Sequence, residues 1–161
     1  MRQRLCLVLA LLLVLIPPAA AQELKPFVAG SIKEITAARQ GKPFILGMWS
    51  LTCTHCREEL VLLSDLLKKH PDLDLILIST DTPEEGEAIS ATLRQSGLGG
   101  AEAWVFADPF AERLRFEIDP KWHGELPRTY LYDSSHKAQA FSGKLDALQM
   151  EQWVQAHFAA R

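Results

Sequence analysis

Two cysteines stand three positions apart in the stretch WSLTCTHCREE, which runs over residues 49–59. A thiolate is both a nucleophile and a metal ligand, so such a pair is typical of a redox-active dithiol, of half a zinc site or of a structural disulfide. A closed zinc site needs a second pair of ligands, and the other four histidines are scattered singly along the chain. A static bridge would close only a small loop and add little stability. The pattern therefore favours a redox-active pair, Cys53 and Cys56.

The segments on either side of the pair have the patterns of a buried strand and of a helix. The apolar run 44–49 follows Gly-Lys-Pro and predicts a short strand. Over residues 54–70, apolar residues recur at steps of four, three and four, lysines occupy the last turn, and a proline follows. Free N–H groups and the dipole at the start of a helix stabilise a thiolate, so we expect Cys53 to be the attacking thiol. Cys56, one turn later on the core-facing stripe, is expected to be the shielded resolving thiol.

Thr54 and His55 occupy the two positions between the cysteines, where side chains lie close to both sulfurs. A protonated or polarised imidazole near the Cys53 sulfur stabilises the thiolate and makes the disulfide more oxidising. A histidine that faces solvent with no specific role is the alternative. We expect Thr54 and His55 to tune the pair.

The rest of the chain predicts a mixed α/β domain. The expected strands are 73–78, 103–107, 128–133 and 137–142. The expected helices are 81–95, a short one that follows residues 108–109 and ends at 115, and a last one from 146 to about 159. The strand over 73–78 is apolar almost throughout, which argues that both sheet faces are covered by helices. The last helix is expected to place Leu148, Trp153, Val154 and Phe158 on its apolar face.

The first 21 residues are typical of a secretory signal peptide. Two arginines precede an apolar run over 5–16, which is shorter than the roughly 20 residues of a membrane-spanning helix, and three alanines offer a cleavage site before Gln22. We predict a signal peptide over 1–21 and one periplasmic domain over 22–161. A retained membrane anchor is the alternative.

Charge and size limit the partners. The chain from residue 22 onward carries 15 Lys and Arg against 20 Asp and Glu, a net charge of −5. It lacks the basic surface that binds phosphates, so nucleic acid is not an expected partner. Its 140 residues suffice for one domain with a core, which we expect to act as a monomer.

The cysteine pair between a strand and a helix, Trp49 four residues before Cys53, and the later sequence LPRTYLYD together resemble the thioredoxin superfamily. Within it the TlpA/ResA-like exported thiol–disulfide oxidoreductases are most similar. The resemblance, over residues 44–158, implies a thioredoxin-like fold: a central mixed β-sheet flanked by helices, with 82–107 as an extra helix and strand inserted before the cis-proline loop. It implies that Pro127 is a cis-proline facing the cysteines, and that Trp49, Leu126 and Pro127 bind the client chain. An ordinary trans proline at the start of an edge strand is the alternative.

Glu59 matches a glutamate that members of this group often carry three residues after the second cysteine. The i, i+3 spacing puts it beside Cys56 on one helix face. There its carboxylate could take the proton of the resolving thiol, or raise thiol pKa values by repulsion. Alternatively, Glu58 and Glu59 only complement the dipole of the first helical turn.

The resemblance implies an enzyme that exchanges disulfides with client proteins and needs no cofactor beyond the redox-active disulfide Cys53–Cys56. Members of the group often act as reductants in cytochrome c or metal-site maturation and exchange electrons with a membrane thiol donor or oxidant. The Thr54-His55 pair departs from the Glu-Pro or Gly-Pro of reducing relatives and is similar to the strongly oxidising Cys-Pro-His-Cys type. The direction of electron flow is therefore open.

Two other functions remain as alternatives. A copper-handling protein would bind Cu(I) through Cys53, Cys56 and His123, since thiolates and imidazole suit that ion. A peroxide-reducing enzyme fits poorly, because Leu46 and Ser50 stand where that family has its activating proline and threonine.

Overall fold

The computed structural model describes residues 22–158 of the chain. The strands are β1 (Leu24–Phe27), β2 (Phe44–Trp49), β3 (Leu75–Ser79), β4 (Glu102–Phe106), β5 (Arg128–Tyr132) and β6 (Ala138–Ser142). The helices are α1 (Ser31–Ala37), α2 (Cys56–Lys69), α3 (Gly86–Gln95), α4 (Ala111–Ile118) and α5 (Ala147–Phe158), with a single 3-10 turn (Pro83–Glu85) before α3. The predicted signal peptide and the predicted end of the last helix at Ala159 lie outside the described residues. No helix within residues 22–158 is long and apolar enough to cross a membrane.

One six-stranded sheet organises the chain, in the order β1-β4-β3-β2-β5-β6. The strands β1, β4, β3 and β2 run parallel, and β5 is antiparallel to both β2 and β6. Every residue of the central strands β2 and β3 is buried. Since central parallel strands must be covered on both faces, the predicted mixed sheet flanked by helices is confirmed.

Alternate residues of the sheet face two separate cores. Leu75 and Leu77 of β3 pack into a core that includes residues of α2, α3 and α5. Ile76 and Ile78 pack into the opposite core with residues of α1 and α4. This alternation follows from the two-residue period of a strand and explains why a strand covered on both faces has almost no polar position.

The sequence analysis missed β1 and α1, which precede the first predicted strand. Strand β1 has only four residues and contains Pro26, which lacks the N–H that a strand inside a sheet would donate. It is accommodated because β1 is an edge strand. Ile32 and Ile35, both buried at helical spacing, were the signal that could have predicted α1.

The predicted apolar face of the last helix is partly wrong. Val154 is fully buried, and Trp153 and Phe158 pack partly against the core. Leu148, however, is 67% exposed, and Met150 is fully buried instead. Met150 and Val154, four residues apart, form the buried stripe of this helix.

A candidate dithiol site at the end of the second strand

Cys53 and Cys56 form a disulfide, with an S–S distance of 2.05 Å and a Cα–Cα distance of 5.3 Å. Cys56 is the first residue of α2 and is fully buried in the core. Cys53 lies in the preceding turn and is only partly buried. This difference in exposure is what an attacking and a resolving thiol require, because only the attacking sulfur has to be reached by a client.

A series of tight turns carries the chain from β2 into α2. The Cys53 amide donates to the carbonyl of Ser50 at 3.2 Å, and the Cys56 amide donates to the carbonyl of Cys53 at 3.3 Å. Thr54 and His55 are exposed, and His55 precedes the helix without a side-chain cap. The pair thus lies at the start of a helix, as predicted, while the tuning roles of Thr54 and His55 stay predictions.

The loop that ends at β5 brings a proline to the same edge of the sheet. The peptide bond between Leu126 and Pro127 is cis, as the resemblance implied. The next residue, Arg128, pairs with Met48 of β2, so Pro127 lies beside the end of the strand that leads to the cysteines. Leu126 and Cys53 both pack against the core that contains Cys56. The binding of a client chain by Leu126 and Pro127 stays a prediction.

Sequence comparison finds neither a matching family model nor a matching curated protein. Solved structures do match. A secreted Mycobacterium tuberculosis disulfide oxidoreductase, described as homologous to E. coli DsbE, has a TM-score of 0.60 at 20% identity over 74% of this chain and 85% of that chain. A thioredoxin-family thiol:disulfide interchange protein from Chlorobium tepidum has a TM-score of 0.60 at 15% identity, over 76% and 83% of the two chains. StoA from Bacillus subtilis has a TM-score of 0.52 at 18% identity, over 71% and 84%.

The chain has a thioredoxin-like fold. The predicted fold class is confirmed. The helix and strand expected within 82–107 are present as α3 and β4. Their interpretation as an insertion into a shorter thioredoxin-like core stays a prediction.

Beneath the thioredoxin-like dithiol, Glu59 is a buried carboxylate with a 3% exposed side chain. Thr129 donates its hydroxyl to Oε1 at 3.1 Å, and the amide of Leu145 donates to Oε2 at 3.0 Å. Burial raises the pKa of Glu59, and these two hydrogen bonds offset only part of that increase. Glu58, by contrast, is exposed and pairs with Lys144 at 2.7 Å. Of the two glutamates, only Glu58 therefore has the surface position expected of a residue that only complements the helix dipole. The catalytic role of Glu59 stays a prediction.

Sequence reasoning missed an ionic network that fixes the loop before Pro127. The largely buried guanidinium of Arg128 donates to Asp119 at 2.7 Å and to Glu125 at 3.4 Å. The indole N–H of Trp122 donates to the carbonyl of Glu125 at 2.9 Å. Arg128 thus ties both ends of the loop 119–127 to β5. A single arginine after a proline does not indicate ion pairs of this kind, so the sequence could not predict the network.

A second missed network surrounds Asp81, just after β3. Its carboxylate accepts hydrogen bonds from the hydroxyl of Ser50 at 2.7 Å, the amide of Leu51 at 2.8 Å and the hydroxyl of Ser79 at 2.6 Å. The available signal was the polar Ser-Thr-Asp sequence that begins at the last residue of a buried parallel strand, at the sheet edge where functional loops collect.

Trp49 lies inside the protein and not on the surface around the disulfide. Its side chain is 3% exposed and belongs to the core, and its indole N–H has no hydrogen-bond partner among the described residues. The client-binding role expected for Trp49 stays a prediction. The side chain belongs to the same core as Cys56.

The alternative copper site is not assembled. Within the part of the chain that the structure describes, no three His, Cys, Asp or Glu side chains are grouped so that they could hold a metal ion. His123 is exposed, and its amide donates to Glu125 at 3.2 Å. The structure therefore does not bring His123 together with Cys53 and Cys56 as a ligand set.

Proposed function

We propose that this protein is a thiol–disulfide oxidoreductase that exchanges disulfides with client proteins through Cys53 and Cys56. The observation that carries the proposal is the disulfide at a strand-to-helix junction, with Cys53 partly exposed and Cys56 fully buried. The thioredoxin-like fold supports it, because solved proteins with this fold are described as a disulfide oxidoreductase and as a thiol:disulfide interchange protein.

The reaction begins from the reduced protein. The thiolate of Cys53 attacks one sulfur of a client disulfide, so that a mixed disulfide forms and the other client sulfur leaves as a thiolate that takes up a proton. The thiolate of Cys56 then attacks the Cys53 sulfur. The Cys53–Cys56 disulfide forms, the second client sulfur is released, and two electrons have passed from the protein to the client.

Glu59 is proposed to accept the proton of Cys56 before this second step. It lies one helical turn after Cys56, is buried with it and holds a pKa above the usual value of a glutamate. A carboxylate with a raised pKa is a better proton acceptor for a buried thiol than an ordinary surface carboxylate. Thr129 and Leu145 hold its two oxygens in place.

We place this activity in the periplasm, as an exported protein of the TlpA/ResA-like type that acts as a reductant in cytochrome c or metal-site maturation. The signal-like residues 1–21 support export. In an oxidising compartment a reductant must be recharged, so the proposal includes a membrane thiol donor as second partner. It requires no cofactor apart from the cysteine pair, and a monomer suffices.

The two cysteine variants test the activity. In the reduction of insulin disulfides by dithiothreitol, Cys53→Ser is expected to lose all catalysis, because no attacking sulfur remains. Cys56→Ser is expected to accumulate a mixed disulfide with a disulfide-containing peptide, seen as a mass increase that dithiothreitol removes. Each variant serves as the control for the other. Full catalysis by Cys53→Ser would exclude the mechanism.

The direction of electron flow is tested by the equilibrium reduction potential against glutathione. A value near about −270 mV, as in thioredoxin, supports the reductant, whereas a value near about −120 mV identifies an oxidant of new proteins. The exposed His55 is the feature that would favour the second result.

A further inference from the structure

The loop that delivers Cys53 is held by a carboxylate from the neighbouring strand. Asp81 follows β3 and is 9% exposed, and its two oxygens accept hydrogen bonds from Ser50 at 2.7 Å and from the Leu51 amide at 2.8 Å. The Ser50 hydroxyl in turn accepts a hydrogen bond from the amide of Thr52 at 3.2 Å. The carbonyl of Ser50 accepts a hydrogen bond from the amide of Cys53 at 3.2 Å. All three residues before Cys53 are thus tied directly or through one hydroxyl to Asp81.

Asp81 is itself held rigidly. The hydroxyl of Ser79 donates to its Oδ2 at 2.6 Å, and the backbone amide of Asp81 donates back to the Ser79 hydroxyl at 3.0 Å. Ser79 is the last residue of β3, which pairs with Trp49, the last residue of β2. The geometry of the sheet therefore fixes the carboxylate relative to the start of the dithiol loop.

The carboxylate lies close enough to the dithiol for its charge to act there. Cys53 is two positions after Leu51, and two residue steps span at most about 7 Å. Adding the 2.8 Å hydrogen bond to Leu51 places the carboxylate within about 10 Å of the Cys53 amide. At that separation, near the protein surface, a unit charge changes an ionisation equilibrium by about tenfold.

No cation neutralises this carboxylate within the described chain. The ion pairs among residues 22–158 do not include Asp81, whose identified partners are two hydroxyls and one amide. The other ionisable groups beside the pair in the sequence are the exposed His55 and Arg57, Glu58 paired with Lys144, and the buried Glu59. Asp81 is thus a buried negative charge on the Cys53 side of the disulfide, whereas Glu59 lies on the Cys56 side.

We propose that Asp81 is a positioning residue for Cys53 whose negative charge also destabilises the Cys53 thiolate and so makes the dithiol more reducing. The hydrogen bonds to Ser50 and Leu51 hold the turn in place. The charge disfavours the thiolate, and a less stable reduced form gives a more negative reduction potential. This inference rests on the proposed function, since it concerns the same cysteine pair.

Asp81→Asn is the variant that separates charge from shape. The amide oxygen of asparagine can still accept the Leu51 amide, so the turn is retained while the charge is lost. In glutathione redox equilibria at a pH where reduced Cys53 is a thiolate, as its ultraviolet absorbance shows, the variant is expected to shift about tenfold toward the reduced form, which is about 30 mV for a two-electron couple. A shift of less than twofold would overturn the electrostatic part of the proposal.

Asp108→Asn is the matched control. Asp108 follows the neighbouring parallel strand β4, but it bonds to the amide of Phe110 and to Arg113, not to the dithiol loop. The equilibrium constant of the Asp108→Asn variant with glutathione is expected to stay within twofold of the value for the unaltered protein. A shift equal to that of Asp81→Asn would show that any carboxylate at this edge of the sheet has the effect, and would overturn the specific role of Asp81.

Ser50→Ala tests the positioning part, and does so even if Asp81→Asn fails to fold. It keeps the charge and the Leu51 bond but removes the hydroxyl that links Thr52 to Asp81. Amide hydrogen exchange at Thr52 is expected to accelerate at least tenfold, with a glutathione equilibrium within twofold of the unaltered protein. Unchanged exchange would overturn the positioning role.

The outcomes for this inference and for the proposed function are separate. The glutathione equilibrium of the cysteine pair is measurable whether or not the protein turns over any client. Absence of insulin reduction by the unaltered protein would contradict the proposed function alone, whereas an unshifted equilibrium in Asp81→Asn would contradict this inference alone.

Discussion

Glu58 and Glu59 are neighbours in sequence, yet the structure gives them opposite surroundings. Glu58 is exposed, and its ion pair with Lys144 lowers its pKa, with a smaller contribution from His55. Glu59 is buried, and its burial raises its pKa. For Glu58 the charged form is favoured on folding, whereas for Glu59 folding favours the neutral form.

This contrast predicts opposite pH effects on stability. The folded state holds the Glu59 proton at pH values where the unfolded chain, with a pKa of 4.5, has lost it. The stabilisation from the neutral form is therefore fully present below pH 4.5 and is lost as the pH rises through the raised pKa of the folded state. Relative to Glu59→Gln, the free energy of unfolding of the unaltered protein is expected to decrease over this range. Urea unfolding at a series of pH values measures it.

Glu58→Gln is the control with the opposite sign. Its lowered pKa means that the contribution of Glu58 to stability is present above pH 4.5 and is lost as the pH falls through the folded-state value. The free energy of unfolding of the unaltered protein, relative to that of Glu58→Gln, should therefore increase with pH. A difference for Glu59→Gln that also increases with pH would contradict the conclusion that burial raises the pKa of Glu59.

At the scale of elements, the loop 119–127 depends on its neighbours for its position. It carries no helix or strand, and its ends are held by Arg128 of β5 through Asp119 and Glu125. Because Arg128 directly follows Pro127, the same side chain fixes the loop and the start of the strand beside the dithiol.

Arg128→Met is expected to lower the free energy of unfolding by about 2–3 kcal/mol, because it leaves the largely buried carboxylate of Asp119 without its cation. The loop should also become sensitive to limited proteolysis in the native state. Urea unfolding and peptide mapping measure the two effects.

Lys68→Met is the control for this prediction. Lys68 pairs with Asp65 at 2.9 Å on the surface of α2, and both side chains are more than half-exposed. Removal of such a surface pair is expected to cost less than about 1 kcal/mol. Equal losses in the two variants would show that the Arg128 network is no more than an ordinary surface ion pair.

At the scale of the whole molecule, the two cores lie on opposite faces of one sheet and share its strands. Loss of packing in either core is therefore expected to destabilise both. Gly47 of β2 shows how closely α2 packs on this sheet, since an added Cβ would lie 3.2 Å from Leu77 and 3.4 Å from Leu63. The helix that begins with Cys56 thus packs directly against the strand that leads to Cys53.

Leu63→Ala is expected to destabilise the protein by about 2–5 kcal/mol, because it opens a cavity at this contact. Unfolding should remain a single transition in both tryptophan fluorescence and far-ultraviolet circular dichroism. Val61→Ala, on the same helix but 52% exposed, is the control and should change stability by about 0.5 kcal/mol or less. Separate transitions for the two probes would contradict a single cooperative unit.

Local patterns were sufficient to predict the dithiol site itself. The apolar run before the cysteines and the helical spacing after them place Cys53 and Cys56 at a strand-to-helix junction, and the structure confirms this placement. The burial of Cys56 follows from the same pattern, because the face that a helical residue presents to the core depends on its spacing from its neighbours. Cys53 lies before the helix and is only partly buried. The cis bond at Pro127 came from family resemblance and not from the residues alone.

The sequence by itself thus determined most of the elements and the place of the cysteine pair between a strand and a helix, because periodicity and turn chemistry act over a few residues. Only the tertiary structure decided which distant groups surround that pair. Ser50 and Asp81 are 31 positions apart, and Glu59 is 70 positions from Thr129. These contacts exist because β2 lies between β3 and β5, and strand order is set by packing of the whole chain rather than by any local pattern. The same packing buries Trp49 and exposes Leu148.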